Sequence, residues 1–399
     1  MYRLAASAVN HPDQLNQLWG VFNHRSLTAL WRNGVTVDAV VPRPHAPPVG
    51  PFSEFRSIPS EDESFPYPVS HPRFWYYLPK SLWYHRSGDS MAAALKRWVE
   101  TLEYSPDVFH GCHLYPDGYA LSELSERDRI PLTTYAHGTI LNEYTSFNRG
   151  TQQRIETAIR SSSVVFCSGD AIERSVRAIV PTATTRVVPI GADPANFPTE
   201  HQASLRQELD VPAEMTVVLF CGQYSRQKGV ADLIEVLRTL RGESLYFVFI
   251  GHGGALRDDV QELLDTSDTL HGRTLWKVPP AVVRQWFAVA DLFILPSHAE
   301  GRPTVIYEAM ASQTPVLTTT VGGIPEQVED GVTGWLLEPG DISGFRSKLT
   351  TLPVETLPEM GRAAETRLRR NGWTWDGHAR RLRDTHMEMI GQELKTQNI

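Results

Sequence analysis

Hydrophobic and polar positions in the first half of the chain alternate between the period of a strand and the period of a helix. An apolar run at 4–9 is followed by a helical pattern at 21–32 and by a second apolar run at 35–41. Four more runs predict strands, at 107–110, 131–136, 164–167 and 186–189. Strands that alternate with helical connections of this length predict a parallel α/β sheet.

The second half repeats the alternation more clearly. Its pattern predicts strands at 216–221, 245–250, 292–295 and 316–319, and helices at 230–240, 282–289 and 305–311. The predicted fold class is α/β, with two Rossmann-like doubly wound domains, 1–195 and 196–375, that face each other across a cleft. A last helix is predicted at 376–394. Because ligands bind beyond the carboxyl ends of parallel strands, we expect the functional residues in the loops that follow the strands.

One stretch of the first half interrupts the pattern. Residues 42–72 are rich in proline and carry the acidic trio 61–63, which is typical of a long loop. An aromatic segment follows at 74–84, and a helix is predicted from about 90 to 102. Tryptophan, tyrosine and nearby basic residues suit a lipid interface, so 74–86 predicts a membrane-facing or acceptor-side patch, or else a lid packed on its own domain.

Composition and charge exclude several classes of protein and of binding partner. The chain has 399 residues, 41% hydrophobic and 21% charged, a balance that excludes a disordered or fibrous protein. Its net charge of −8 argues against a nucleic-acid partner. No apolar run approaches the ~20 residues of a membrane span, no signal-peptide pattern is visible, and the three cysteines form no CxxC pair. We therefore expect a cytoplasmic protein, soluble or peripheral at the inner face of the membrane.

The strongest candidate site follows the predicted strand at 292–295. Glu300 lies in the loop, Pro303 suits a first helical turn, and Glu308 falls on the second turn of the helix. Free amides at a helix N-terminus bind anions, and a carboxylate accepts hydrogen bonds from the hydroxyls of a ligand. From spacing alone, two glutamates eight residues apart indicate either such a site or two ordinary solvated charges.

This segment resembles the Glu-x7-Glu motif of the family 4 retaining glycosyltransferases, which have the GT-B fold. The resemblance extends along most of the chain, through segments 19–22, 115–119, 136–139, 290–297, 314–326, 331–334 and 338–341. It implies transfer of a sugar from a nucleotide-sugar to an acceptor hydroxyl, with the donor on the C-terminal domain and the acceptor on the N-terminal one. It also implies that the last helix, within 376–399, crosses back to the first domain.

A second candidate loop, 221–229, joins a strand to a helix and offers basic side chains to a phosphate. The family pattern here is similar to Gly-Arg-Leu-x-x-x-Lys-Gly. Gly222 and Lys228 match it, whereas Gln223 stands where the arginine is expected and carries no charge. Arg226 is the alternative source of positive charge. Without the resemblance, these basic residues indicate only a solvated turn.

Four other site residues are predicted from weaker parts of the resemblance. Gly251 and Gly253 follow a strand, where the family packs the nucleotide base against backbone; the alternative is a plain turn. His137 matches a family position that faces the donor sugar, although a lone histidine after a buried strand is more often structural. Gly20 matches the glycine that lets the N-terminal backbone approach the donor phosphate.

The resemblance therefore implies a complete set of site residues. The predicted catalytic residues are His137, Lys228 and Glu300. The predicted donor-binding residues are Gly20, Gly222, Arg226, Lys228, Gly251, Gly253, Glu300, Gly301, Arg302, Pro303, Thr304 and Glu308. No Asp-x-Asp pair follows a strand, so no metal and no other cofactor is expected.

The predicted function is retaining transfer of a hexose-type sugar from a UDP- or GDP-linked donor to a hydroxyl of a polysaccharide or lipid-linked glycan. One alternative is a nucleotide-sugar epimerase or hydrolase on the same scaffold. The other is a catalytically weakened nucleotide-sugar-binding protein, which Gln223 motivates. The sequence leaves open the donor base, the sugar, the acceptor and the oligomeric state.

Overall fold

The computed structural model of the chain describes residues 1–16, 19–46, 53–78, 80–197, 202–241 and 244–397. The chain divides into two units, the first made of Met1–Ile190 with Trp375–Ile399 and the second of Gly191–Thr374. The boundaries between the units fall at 190/191 and 374/375. The sequence pattern predicts them at 195/196 and 375/376. Residues 198–201, close to the first predicted boundary, and 398–399, at the end of the predicted crossover segment, lie outside the described residues.

The first unit is built on an eight-stranded sheet and a separate two-stranded pair. The strands are β1 (Arg3–Ser7), β2 (Thr36–Val40), β3 (Arg43–Pro44), β4 (Glu61–Asp62), β5 (Val69–Ser70), β6 (Arg73–Phe74), β7 (Val108–Gly111), β8 (Leu132–Ala136), β9 (Val164–Cys167) and β10 (Thr185–Val187). The sheet order is β10-β9-β8-β7-β1-β2-β5-β4, and β3 pairs with β6. Every pairing is parallel except that of β4 with β5.

Helices cover this sheet. They are α1 (Val21–Arg32), α2 (Lys80–Val99), α3 (Tyr119–Asp128), α4 (Gly138–Asn142), α5 (Arg149–Ser161) and α6 (Asp170–Ile179). Two 3-10 turns lie at Ser53–Ser57 and Tyr144–Ser146, and a π-helical turn lies at Leu114–Gly118. The central strands β7, β8 and β9 are buried along their whole length, which explains their mainly apolar sequences.

The second unit is a six-stranded parallel sheet. Its strands are β11 (Thr216–Cys221), β12 (Leu245–Gly251), β13 (His271–Trp276), β14 (Leu292–Leu295), β15 (Val316–Thr319) and β16 (Gly334–Leu337), in the order β13-β12-β11-β14-β15-β16. Its helices are α7 (Gln202–Glu208), α8 (Val230–Thr239), α9 (Arg257–Thr266), α10 (Pro280–Val289), α11 (Thr304–Ala311), α12 (Ile324–Gln327), α13 (Ile342–Thr350) and α14 (Leu357–Arg370), with 3-10 turns at Pro194–Asn196 and Val354–Thr356. Strand order reverses between β11 and β14, and a crevice forms at such a point.

The last helix, α15 (Trp375–Gln397), belongs to the first unit and packs against α1. Two buried histidines attach it. His378 is hydrogen-bonded with Ser26 Oγ at 2.8 Å and with the carbonyl oxygen of Pro189 at 3.0 Å. His386 is hydrogen-bonded with the Tyr2 hydroxyl at 2.6 Å and with the Thr133 hydroxyl at 3.0 Å. The helix thus completes the unit in which the chain begins.

The structure corrects the sequence prediction in three places. Residues 42–72 are not one long loop, because β3, β4 and β5 lie within their described part. Helix α2 begins at Lys80, ten residues before the predicted start. It continues through Gly88, whose missing side chain leaves room for the Tyr115 ring: an added Cβ would lie 2.7 Å from it. The strand predicted at 186–189 is β10, which ends at Val187.

Candidate active site

The loops that follow β11 and β14 are held against each other. Gly229 has φ +72°, and a Cβ there would lie 1.9 Å from the carbonyl oxygen of Pro296. The amide of His298 donates to the carbonyl of Gln227 at 2.8 Å. Both the left-handed backbone and the close approach require glycine at 229. The neighbouring Lys228 is therefore held beside the β14 loop.

Lys228 and Glu300 form an ion pair at this junction. Lys228 Nζ lies 2.6 Å from Glu300 Oε1 and 2.8 Å from Oε2, and Ser297 Oγ donates to the same Oε1 at 2.7 Å. The Glu300 side chain is 7% exposed and that of Lys228 is 24% exposed. Charge-assisted hydrogen bonds of this kind fix the carboxylate. An ammonium group has three donors, so Lys228 retains one for a ligand even when both carboxylate oxygens are bound.

The loop that follows β15 supports Glu300 from its other side. Gly322 has φ +57°, and a Cβ there would lie 2.0 Å from the carbonyl oxygen of Glu300. The amide of Gly323 donates to the carbonyl of Gly301 at 2.6 Å, and Thr319 Oγ1 donates to the carbonyl of Ser297 at 2.7 Å. The backbone around Glu300 is therefore fixed by two neighbouring loops.

Helix α11 presents its N-terminus next to this loop. Thr304 is the first helical residue, Pro303 immediately precedes it, and no described side chain caps the end. The first amides of the helix are thus available to an anion. Glu308 lies further along α11. Burial raises the pKa of the Cys221 thiol, and the negative charge of Glu308 raises it further, so Glu308 lies near Cys221 at the end of β11.

Arg302 belongs to the predicted donor-binding set, but its side chain is bound to other residues of the protein. Its side chain is buried, with the guanidinium 5.0 Å from the ring centre of Trp373. It donates to Glu326 at 2.5 Å and to the Tyr307 hydroxyl. These partners occupy the side chain, so its backbone is the part of Arg302 that can face a donor.

The remaining predicted residues of the second unit lie on the β11 and β12 loops. Gln223 and Arg226 are exposed and Gly222 is half-buried. The amide of Gly222 donates to the carbonyl of Ile250 at 2.9 Å, and a Cβ on Gly251 would lie 2.2 Å from the carbonyl oxygen of Gly222. Close packing of the two backbones therefore requires a glycine at 251.

Tyr224 joins these two loops and was missed by the sequence analysis. Its buried hydroxyl donates to the carbonyl of Phe249 at 2.9 Å, and its amide donates to the carbonyl of Gly253 at 3.0 Å. Gly253 itself has φ +80° with open space around the Cβ position. Ser297 lies in segment 290–297 of the resemblance but was not predicted as a site residue, and its signal is its spacing three residues before Glu300. Tyr224 has no local signal, because its partners are backbone carbonyls and amides distant in sequence.

The two predicted residues of the first unit follow β1 and β8. Gly20 has φ +66°, and a Cβ there would lie 2.2 Å from the carbonyl oxygen of Asn10, so the loop's own packing requires the glycine. His137 is half-buried and hydrogen-bonded with the backbone of Cys112. Burial holds the pKa of His137 well below 6.5, so its imidazole is neutral. The structure thus groups Lys228, Glu300 and their neighbours in one unit, and Gly20 and His137 in the other.

The described residues contain neither a candidate metal site nor a candidate membrane span. No group of three or more histidine, cysteine, aspartate or glutamate side chains there could hold a metal ion. None of the described helices is long and apolar enough to cross a membrane.

Models of two sequence families match the chain in succession. The model described as Glycosyltransferase Family 4 matches residues 20–196, and the model described as Glycosyl transferases group 1 matches residues 215–353. The chain belongs to glycosyltransferase family 4. It is thus a glycosyltransferase, and the family resemblance read from its sequence is confirmed.

A glycosyltransferase relative agrees with this family, and two solved structures share the fold. TuaC of Bacillus subtilis, a glycosyltransferase assigned to teichuronic acid biosynthesis, is 28% identical over 321 residues, 79% of this chain and 80% of TuaC. Sucrose-phosphate synthase from Thermosynechococcus elongatus superposes with a TM-score of 0.78 at 18% identity, over 98% of this chain and 100% of that one. HepE of Anabaena, in complex with UDP and glucose, superposes with a TM-score of 0.70 at 19% identity, over 96% of this chain and 99% of HepE. The structures confirm the GT-B fold of this family 4 member.

Proposed function

We propose that the chain transfers a hexose-type sugar from a UDP- or GDP-linked donor to a hydroxyl of a polysaccharide or lipid-linked glycan, with retention at the anomeric carbon. The observation that carries the proposal is the ion pair of Lys228 with Glu300 beside the N-terminus of α11. The Lys228 ammonium suits a diphosphate and the Glu300 carboxylate suits sugar hydroxyls. Their ion pair fixes both side chains before a ligand binds. HepE, which shares the fold, binds UDP and glucose, and this supports a nucleotide-sugar donor.

In this proposal the charge of the departing diphosphate is stabilised by protein groups alone. Lys228, Arg226 and the first amides of α11 offset the negative charge that develops on the leaving phosphate. Glu300 accepts hydrogen bonds from the sugar hydroxyls and Glu308 from the ribose. The bond from the anomeric carbon to the phosphate oxygen breaks, the bond to the acceptor oxygen forms on the same face, and the acceptor proton passes to the leaving diphosphate. No metal ion takes part.

The acceptor side of the proposal concerns the first unit and the patch predicted at 74–86. Four of the large apolar side chains of this patch, Trp75, Leu78, Leu82 and Trp83, are between 49% and 60% exposed. Arg86 is exposed among them, and Pro79 lies outside the described residues. Exposed tryptophans beside a basic residue suit an anionic membrane surface. We therefore propose peripheral contact with the membrane, to be measured by co-sedimentation with anionic and neutral vesicles.

Thermal unfolding with a panel of nucleotides tests the donor side. UDP, GDP, ADP and their sugars are added with and without Mg²⁺, since a ligand at one hundred times its Kd stabilises the folded state by about 2.7 kcal/mol. We expect one nucleotide-sugar to raise Tm without Mg²⁺, and K228A to lose that shift. If no nucleotide raises Tm, the chain has lost its donor site, as Gln223 suggested.

Product analysis tests the chemistry. Transfer from an α-linked donor should give an α-linked product by NMR, and an inverted product would contradict retention. Hydrolysis or epimerisation of the donor at the full rate without any acceptor would establish the alternative enzyme class instead.

A further inference from the structure

The first unit contains a cavity of about 640 Å³, a size that accommodates a ligand rather than a few waters. Its wall consists mainly of aromatic and aliphatic side chains, among them Trp19, Phe22, Phe74, Tyr76, Leu78 and Ile140. Arg43 and Glu143 also line it, and Arg43 is already engaged: the guanidinium donates to the carbonyls of Val9 and His11 and lies 2.7 Å from the Asp13 carboxylate. Most of the cavity therefore offers apolar contact and few hydrogen bonds.

One end of the cavity has a different character because His113 lines it. His113 Nδ1 donates to the buried carboxylate of Asp117 at 2.8 Å. Asp117 also accepts from Ser7 Oγ at 2.7 Å and from the amide of Val9 at 2.9 Å. Because the carboxylate accepts from the N–H at Nδ1, the tautomer that this bond selects has its lone pair on Nε2. Within the described part of the chain, the contact recorded for that nitrogen is with the side-chain amide of Asn10, at 3.4 Å, longer than an ordinary hydrogen bond.

A second imidazole lies beside the first. The rings of His113 and His137 are 5.3 Å apart between centres, and both line the cavity. His137 Nε2 is buried and has no hydrogen-bond partner among the residues that the structure describes. A buried acceptor without a donor is costly, so this end of the cavity is suited to a ligand that brings a hydroxyl.

We propose that this cavity binds an acceptor whose hydroxyl-bearing residue is attached to an apolar group, alkyl or aryl, and that His113, oriented by Asp117, positions the hydroxyl. The inference rests on the proposed glycosyl transfer and specifies its acceptor. The apolar group fills the aromatic part of the cavity, and the hydroxyl donates to an imidazole nitrogen. A free polar sugar would leave most of its hydroxyls without partners against this wall.

Binding of alkyl and aryl glucosides, without any donor, tests the cavity. Methyl, butyl, hexyl and phenyl glucosides are titrated calorimetrically below their micelle concentrations. Each methylene that enters the cavity should lower Kd about fourfold, up to the length that fills it. A preference for phenyl over hexyl glucoside would identify an aryl group, and the reverse an alkyl chain. Equal Kd values for methyl, hexyl and phenyl glucosides would overturn the proposal.

Substitutions at two exposed leucines, four residues apart, distinguish binding in the cavity from binding on the surface patch. Leu78 lines the cavity and Leu82 does not, yet both are at least half exposed, so a polar side chain at either position is compatible with folding. L78D should raise the Kd of hexyl glucoside at least tenfold, while L82D should leave that Kd within twofold of the wild-type value. Equal losses in both variants would place the alkyl chain on the surface and contradict the proposal.

His113 needs a readout that separates positioning from folding. H113Q retains a donor for Asp117 and removes the imidazole lone pair. We expect kcat to fall at least tenfold, with the Kd of hexyl glucoside, the donor-induced rise in Tm and the Tm of the free protein unchanged. An unchanged kcat, or a parallel loss of Tm and of hexyl glucoside binding, would show that His113 serves only to satisfy Asp117. The glucoside titrations of the wild type, L78D and L82D need no donor, so a failed donor test leaves the test of the cavity interpretable.

Discussion

At the scale of single residues, the second unit holds two opposite charges together where a ligand with both kinds of group would bind. Lys228 and Glu300 neutralise each other, and Ser297 fixes the carboxylate. The pair is only partly exposed, so its hydrogen bonds compete less with water than those of a surface pair. A donor would meet a lysine and a glutamate that are already in place and would pay little to order them.

Removing either charge should slow transfer strongly. We expect K228A and E300Q each to lower kcat/KM by roughly 30- to 1,000-fold, corresponding to the ~2–4 kcal/mol that one well-placed electrostatic group contributes to a transition state. The control is E329Q, which removes a carboxylate from a more exposed ion pair, 2.9 Å from Arg367, in the same unit. Initial rates at subsaturating donor measure the effect. Activity within threefold of the wild type in either site variant would refute the assigned roles.

Residues with a local signature could be predicted from the sequence, and residues whose role depends on the fold could not. Lys228 and Glu300 were found because each lies in a short pattern after a strand. Tyr224 could not be found, since its hydroxyl and amide bind backbone groups of the β12 strand and loop. The pairing of His113 with Asp117 was also missed, because the sequence pattern does not predict the π-helical turn, Leu114–Gly118, that begins after His113 and contains Asp117.

At the scale of elements, glycines allow the loops after β11, β14 and β15 to touch. Gly229 and Gly322 combine positive φ with a backbone carbonyl about 2 Å from the Cβ position. Any side chain there would push one loop away from the next. The relative positions of Lys228 and Glu300 therefore depend on residues that carry no functional group.

A matched pair of glycine variants separates backbone strain from loop contact. G229A must adopt φ +72° and also displace the carbonyl of Pro296, whereas G253A must adopt φ +80° with nothing within 4 Å. We expect G253A to lower the free energy of unfolding by about 1–3 kcal/mol from strain alone, and G229A to lower it further and to abolish nucleotide binding. Denaturant titrations measure this. Equal destabilisation by the two substitutions would contradict the contact argument.

Elements with strong hydrophobic runs were predicted well, and edge elements were not. Strands β11, β12 and β14 are buried on both faces and have continuous apolar sequences. Strand β13 lies at the edge of its sheet with an exposed or half-buried side chain at every position, so its sequence lacks an apolar run. Strand β5 has two residues, and its pairing with β2 is decided by tertiary packing rather than by local pattern.

At the scale of the whole molecule, buried histidines are concentrated in the first unit. Eight histidines there have a lowered pKa, with burial as the main cause: His11, His24, His71, His85, His110, His137, His378 and His386. Burial lowers the pKa of His11 and His110 to about 3 and that of His378 to about 4. These groups are neutral in the folded chain and take up protons readily only when it unfolds.

The first unit should therefore be sensitive to acid. Below pH 6.5 the unfolded chain binds protons at histidines that stay neutral in the folded chain, so stability falls as pH falls, from about 6.5 down towards the folded pKa values. Four fully buried histidines, His11, His110, His378 and His386, each contribute about 1.4 kcal/mol per pH unit. Hydrogen exchange at pH 7 and pH 5 on the intact chain measures this, with the second unit as internal control. Equal loss of protection in β8 and β12 would contradict the prediction.

The return of α15 to the first unit has a consequence for synthesis on the ribosome. The first unit is left incomplete at Ile190, and its last helix begins only at Trp375. At about 5–20 residues per second, translating the intervening segment takes roughly 10–40 s. Throughout that interval Ser26, Tyr2 and Thr133 lack the histidines that cover them, while the whole of Gly191–Thr374 emerges and folds. A nascent chain stalled before Trp375 would pair a finished second unit with an unfinished first one, open to chaperones and proteases.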